Sequence, residues 1–147
     1  MTHRCPWALP LLAVTLLAAS GCETLTPSTC DPSAANNPTV GYAGGQTADG
    51  VYMSSPWDGE LLDFPGGAHY ALEHRLGGTP AWVMSYLSFD EFGTRSGGSL
   101  AQAAGNQVLI LGVDDETITV ANDSCVAYWL LVTAGVGVAD GGAPPGP

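Results

Sequence analysis

The sequence predicts an all-β fold, a small antiparallel β-sandwich of about six to seven strands within residues 50–134. Apolar and polar residues alternate with a period of two along residues 69–76, as a half-buried strand requires. Further short strand candidates recur about every 8–12 residues, and no long stretch has the periodicity of a helix. This combination is typical of an antiparallel sandwich.

Residues 69–89 carry the clearest strand signal and predict a β-hairpin. The break Gly-Gly-Thr-Pro at residues 77–80 separates the alternating segment from a second run, residues 81–89, that is rich in aromatic and β-branched residues. Two strands joined by a short glycine-containing loop commonly pair with each other. One face of the first strand would carry Tyr70, Leu72, His74 and Leu76.

The other elements are short runs between residues that favour turns, such as Pro-Gly-Gly at residues 65–67 and Asn-Asp-Ser at residues 122–124. Residues 99–104 suit a helical turn or an edge strand equally. The predicted strands are residues 51–54, 61–64, 107–113, 117–121 and 125–134.

Two of these strands are apolar on both faces. In residues 125–134, Trp129 and Leu131 would lie on one face and Leu130 and Val132 on the other, and residues 107–113 behave similarly. A strand with one face in water should have one polar face. Either loops of the same chain or another subunit must therefore cover the second face.

The two ends of the chain differ in composition from the predicted domain. Residues 1–21 have a short basic start, an apolar stretch and then small residues, which predicts an export signal. Residues 22–49 are rich in Thr, Ser, Pro and Gly and predict a linker, which is flexible throughout unless a disulfide pins it. Residues 135–147 end in GGAPPGP and predict a disordered tail.

The segment Ala19-Ser20-Gly21-Cys22 resembles the lipobox of bacterial lipoproteins. The resemblance implies cleavage before Cys22, acylation of that cysteine with chains such as palmitate, and attachment to a membrane through the lipid. Glu23 rather than Asp follows the cysteine, which by the same resemblance implies sorting to the outer membrane of the cell envelope, facing the periplasm or the surface. The alternative is an ordinary secretory signal that ends near a cysteine.

The net charge restricts the classes of binding partner, and the cysteines bear on the cellular compartment of the protein. The chain has 14 acidic and three basic residues, and loss of Arg4 with the signal would change its net charge from −11 to about −12. Such a surface repels phosphate backbones, so we expect no nucleic-acid partner. Cys30 and Cys125 would remain after processing, and outside the cytoplasm they favour a disulfide. The alternative is two thiols, with Cys125 a small apolar strand residue.

No pattern predicts a catalytic site, a metal site or a cofactor. His69 and His74 lie five residues apart and so would point to opposite faces of one strand. The sequence has no HxH, CxxC or GxSxG motif. The acidic turn at residues 114–116 would bind calcium only if carboxylates of another loop met it. Glu73 and Arg75 are two residues apart on one face, where a solvated ion pair is the simplest interpretation.

The aromatic residues of 81–89 are the best candidates for binding. Trp82, Met84 and Tyr86 alternate with Val83 and Leu87. If the smaller aliphatic side chains form the core, the aromatic stripe faces outward, where Trp and Tyr favour contacts with sugars or proteins. If the stripe forms the core, no such surface exists. The candidate binding residues are Trp82, Tyr86, Glu73 and Arg75.

Residues 74–83, HRLGGTPAWV, followed by Ser85-Tyr86-Leu87-Ser88, resemble a pattern in H-type lectin and phage tail-fibre-tip domains. The resemblance is confined to this segment, and its core is LG-x-x-P. It implies a six-stranded antiparallel sandwich, often trimeric, with sugar contacts in some members, and it identifies no sugar-binding residue here.

These observations predict an exported, lipid-anchored β-sandwich that acts as a binding or adhesion module for a glycan or a protein. The alternative is a structural envelope lipoprotein with an assembly role and no small ligand. A homo-oligomer, by resemblance a trimer, fits either function. A hydrolase is less favoured.

Overall fold

The computed structural model describes residues 37–137, which form an all-β sandwich of two sheets, as predicted. The only helical element among these residues is a short 3-10 helix, Gly93–Ser96. The signal, Cys22, Cys30 and residues 138–147 of the predicted tail lie outside the described residues. The strands are β1 Thr39–Tyr42, β2 Gln46–Ala48, β3 Val51–Met53, β4 Leu62–Phe64, β5 His69–Glu73, β6 Trp82–Ser88, β7 Ala101–Gln102, β8 Leu109–Val113, β9 Thr117–Ala121 and β10 Tyr128–Gly135.

The first sheet has the order β1-β5-β9-β8, and the second has the order β2-β3-β10-β6-β7, with β4 also paired to β10. All pairs are antiparallel except β1 with β5, which is parallel. This one pair departs from the antiparallel arrangement that the sequence predicts. A parallel pair needs a long crossover, and here the crossover contains β2, β3 and β4 of the other sheet.

The folded part begins earlier than the sequence predicted. Both β1 and β2 lie within residues 22–49, which composition assigned to a linker, so that assignment was wrong for these residues. Their side chains are mostly exposed and show no apolar alternation. Backbone pairing of β1 with β5 and of β2 with β3 holds these strands in place. These two strands and β7 raise the number of strands within residues 37–137 to ten.

The predicted hairpin of residues 69–89 does not form. Residues 69–73 form β5 of the first sheet, and residues 82–88 form β6 of the second. Each strand already has a neighbour on both edges, so neither has a free edge to offer the other. The chain leaves β5 through Arg75, which has a φ of 52°, and Gly77, which has a φ of 77°, and crosses to the other sheet. Left-handed backbone at both positions breaks the strand direction.

The core lies between the two sheets. The period of two predicted for β5 is confirmed, since Leu72 is fully buried and Tyr70 packs against the core. Every second residue of β10 also points inward. The main core residues are Tyr52, Phe64, Leu72, Leu87, Val108, Ile118, Val120, Tyr128, Leu130, Val132 and Ala134.

His74 directly follows β5 and is fully buried, whereas the sequence pattern predicts a partly buried, hydrogen-bonded strand residue. Its Nδ1 accepts the backbone N–H of Leu76 at 3.2 Å, which leaves Nε2 to donate to the carbonyl oxygen of Asp114 at 3.1 Å. The Thr47 hydroxyl donates to the carbonyl of His74. One side chain therefore joins the end of β5 to the β8–β9 turn.

Asn122 is a second buried polar group, and it organises the predicted turn at residues 122–124. Its Nδ2 donates to the carbonyls of Phe64 and Val126, both at 2.9 Å. Its Oδ1 accepts the backbone N–H of Ser124 at 3.0 Å and the hydroxyl of Ser124 at 2.7 Å. These bonds fix where β9 ends and where the chain turns toward β10.

Two predicted strands are shorter than expected. The strand predicted for residues 125–134 begins at Tyr128 and ends at Gly135, and that predicted for residues 107–113 begins at Leu109. A register shift between Ile110 and Gly112 breaks the alternation in β8, an edge strand. The predicted pairing of Cys125 with Cys30 stays a prediction because Cys30 lies outside the described residues.

Candidate functional site

The outer face of the second sheet is covered by the same chain over only part of its area. Leu131 on this face is fully buried. Beside it in the register, Tyr86 packs against Trp57, which lies in the loop between β3 and β4. Leu61, at the end of that loop, is also buried, and its N–H donates to the carbonyl of Glu91 at 2.8 Å. Loops of the chain itself thus cover this half of the second apolar face.

The other half of this face is an open groove. Met84 is 42% exposed, Trp57 45% and Trp82 37%, which is unusual for large apolar side chains lying together. The volume of the groove is about 370 Å³. We call this feature the aromatic groove; its lining is Val51, Trp57, Trp82, Met84, Tyr86 and Thr133.

Strand register explains why the aromatic stripe faces outward. All seven residues of β6 pair with β10, from Ser88 opposite Trp129 to Trp82 opposite Gly135. Leu87 pairs with Leu130 and packs in the core, so Trp82, Met84 and Tyr86 take the opposite face. Of the two arrangements that the sequence left open, the structure has the outward stripe.

Trp82 lies across the backbone of Gly135. A Cβ atom at position 135 would fall 2.5 Å from Cζ2 and 2.7 Å from Nε1 of the indole. A glycine opposite an aromatic residue in an antiparallel pair lets the ring fold flat over the neighbouring strand. The missing side chain of Gly135 therefore sets the position of the indole at one end of the groove.

Trp57 lines the groove beside Tyr86. Its ring meets Tyr86 edge to face, with centroids 4.8 Å apart and an angle of 68° between the planes. The Tyr86 hydroxyl donates to the Met84 sulfur at 3.5 Å. Trp57 is not among the candidate binding residues that the sequence predicts, because it lies in a turn-forming segment between two strands. The available signal was a large apolar residue between Pro56 and Gly59, where the core does not need one.

The lining determines what the groove can bind. Its six residues include no charged side chain, and the polar groups among them are the hydroxyls of Thr133 and Tyr86 and the two indole N–H groups. Flat aromatic faces and a thioether suit apolar or ring-shaped ligand groups. They offer few partners for a ligand with many hydroxyls.

No protein-family model, curated protein or solved structure matches the chain. The function must therefore be argued from the site alone.

The other two candidate residues lie elsewhere. Glu73 ends β5 in the first sheet, so the structure does not bring Glu73 and Arg75 together with Trp82 and Tyr86. The Arg75 guanidinium donates to the carbonyl of Ala43 at 3.0 Å and lies 3.6 Å from the Glu73 carboxylate. Both side chains are at least half exposed, so this ion pair adds little stability.

The acidic turn at residues 114–116 is organised by its own hydrogen bonds. The Asp114 carboxylate accepts the backbone N–H of Thr117 at 2.6 Å and that of Glu116 at 2.9 Å. These bonds lower the pKa of Asp114, since they favour the charged form. Across residues 37–137, no group of three or more His, Cys, Asp or Glu residues could hold a metal ion.

Within the same residues, no helix is both long enough and apolar enough to cross a membrane.

Proposed function

We propose that this protein is an exported, lipid-anchored binding module whose ligand surface is the aromatic groove, and that its ligand is a protein segment. The observation that carries the proposal is the groove itself. Trp57, Trp82 and Met84 are exposed together on a face that the rest of the chain covers elsewhere. Exposed apolar patches of this kind mark interaction sites.

The polarity of the groove favours a protein segment over a glycan. A sugar needs hydrogen-bond partners for its hydroxyls as well as an aromatic platform, and unpaired polar groups on binding are costly. Among the lining residues only Thr133, Tyr86 and the indoles offer such partners. Proline, aliphatic and aromatic side chains need none, so they gain most from this surface.

Site-specific crosslinking in intact cells tests this function. A photoreactive phenylalanine analogue at position 84 should crosslink to a protein, and Trp57→Ala should abolish the product by removing one wall of the groove. The same analogue at Val40, which is similarly exposed but lies on β1 of the other sheet, is the matched control. A crosslink at position 84 that persists in Trp57→Ala, or no crosslink together with specific binding on a glycan array, would contradict a protein ligand.

An assembly role without a ligand is the second candidate, and β8 favours it. This edge strand leaves Ile110 and Leu111 about half exposed. Unpaired strand edges with apolar side chains are prone to pair with other chains. If assembly uses this edge, light scattering should show an oligomer that Leu111→Lys converts to a monomer. A monomeric wild-type chain would contradict this candidate.

A further inference from the structure

We propose that residues 143–147 of the same chain, Ala-Pro-Pro-Gly-Pro, fold back and occupy the aromatic groove. The inference rests on the proposed function, because it assigns an occupant to the surface argued there to bind ligands. It adds a regulatory element, since an external partner must then compete with the chain's own segment.

The composition of residues 143–147 matches the lining of the aromatic groove. Proline-rich segments adopt the extended polyproline II helix, and they dock into aromatic-lined grooves at a low entropic cost because that helix is preformed. The aromatic groove is lined by three aromatic side chains, Trp82 and the contacting pair Trp57 and Tyr86. Residues 143–147 carry three prolines and no charged side chain, which matches a groove lined by no charged side chain.

The chain leaves the second sheet next to the aromatic groove. β10 ends at Gly135, on which the Trp82 indole lies, so the chain emerges at the rim of the groove. The N–H of Val136 donates to the carbonyl of Gly50 at 3.1 Å, and a Cβ on Gly137 would lie 3.2 Å from the Cβ of Ala81. These contacts hold the last described residues beside the strands that form the groove.

The connecting residues 138–142 are long enough for residues 143–147 to reach the groove. Residues 138–142 have the sequence Val-Ala-Asp-Gly-Gly and can span up to about 17 Å, with two glycines available for a reversal. The groove follows β6 from Trp82 to Tyr86, which is about 13 Å at strand spacing. A polyproline II helix over residues 143–147 is about 12 Å long. The segment therefore both reaches the groove and fits its length.

Because the segment is attached to the domain, even a weak interaction gives a substantial occupancy of the groove. A short tether gives an effective concentration on the order of 1 mM, so a segment with a Kd near 1 mM would fill the groove about half of the time. An external ligand would then bind with about twofold lower apparent affinity to the intact chain than to a chain with an empty groove.

The test compares residues 23–147, produced without the signal and without Cys22 so that no detergent is needed, with the same chain carrying Pro144→Ser/Pro145→Ser. The readout is acrylamide quenching together with the indole N–H resonances of Trp57, Trp82 and Trp129. Trp129 lies outside the groove and serves as the internal standard. A Val138→Ser/Ala139→Ser variant is the matched control, because it alters the tether and keeps the prolines.

We expect the Pro144→Ser/Pro145→Ser variant to show stronger total acrylamide quenching and shifted Trp57 and Trp82 indole resonances, with the Trp129 resonance unchanged and the control like wild type. Added peptide GGAPPGP should then shift the Trp57 and Trp82 resonances of the proline variant. Identical spectra for wild type and the proline variant would overturn the inference. A difference that vanishes on dilution would overturn it too, because the occupant would then come from a second molecule. Neither result removes the groove-dependent crosslink that tests the proposed function.

Discussion

The indole of Trp82 lies against the backbone of Gly135, where a Cβ atom would fall 2.5 Å from the ring. The two residues face each other in the β6–β10 register. One end of the aromatic groove is thus shaped by a residue that does not line it. Because the three atoms nearest to such a Cβ all belong to the indole ring, a larger residue at position 135 must move the indole.

Gly135→Ala should therefore alter ligand binding by moving Trp82. We expect a changed Trp82 indole resonance and an unfolding free energy lowered by about 1–3 kcal/mol, the usual cost of overpacking. Gly112→Ala is the control, since a Cβ there meets nothing within 4 Å. An unchanged Trp82 resonance in Gly135→Ala would contradict the close packing.

His74→Leu should destabilise the sandwich. The change leaves the N–H of Leu76 and the carbonyl of Asp114 without the imidazole that pairs with them. Losing these bonds at a buried site should cost about 2–3 kcal/mol in urea unfolding. His69→Leu, on the other face of β5, should change stability by less than about 1 kcal/mol. Equal effects of the two substitutions would show that the His74 bonds carry little energy.

Asn122→Ala should lower the free energy of unfolding by more than is usual for a substitution in a turn. The fully buried amide holds the carbonyls of Phe64 and Val126 and accepts two bonds from Ser124. We expect a loss of about 3 kcal/mol or more in chemical denaturation, because several buried groups lose their partner together. The exposed Asn106→Ala should stay within about 0.5 kcal/mol of wild type. A similar small value for Asn122→Ala would be inconsistent with this network.

Asp114→Asn should reduce stability in a pH-dependent way. Backbone hydrogen bonds from Thr117 and Glu116 lower the pKa of Asp114 from its usual 3.8 in the folded state. A lowered folded pKa gives stability that is present above pH 3.8 and is lost as the pH falls through the folded value. The difference between wild type and Asp114→Asn should thus be largest near neutral pH and shrink in acid. Asp115→Asn removes a charge from the same turn but keeps these bonds, so a matching pH profile would refute the assignment.

Sequence periodicity predicted what each strand faces better than it predicted which strands pair. The alternation in residues 69–76 correctly placed Leu72 and His74 inside, because burial of one face follows from the side chains of a single strand. Pairing depends on which edges are free. The Gly-Gly-Thr-Pro loop looked like a hairpin turn, but β5 and β6 each have both edges occupied in different sheets.

The aromatic groove was only partly predictable for a similar reason. The sequence identified Trp82 and Tyr86 as candidates but left their direction open, since both faces of β6 carry apolar residues. Direction is decided by pairing with β10, and Trp57 reaches the groove from a loop that no periodicity describes. The exposed strands β1 and β2 escaped prediction because long-range backbone pairing, not side-chain pattern, defines them.

In-cell hydroxyl-radical footprinting tests most directly whether the aromatic groove is the ligand surface. The Pro144→Ser/Pro145→Ser chain would be labelled in the envelopes of producing cells and again after purification. The reactivities of Trp57, Trp82 and Met84 would be compared with that of Trp129, which lies outside the groove. We predict clear protection of the three groove residues in the envelope and an unchanged rate at Trp129. Equal reactivity of all three groove residues in the two samples would contradict a bound partner.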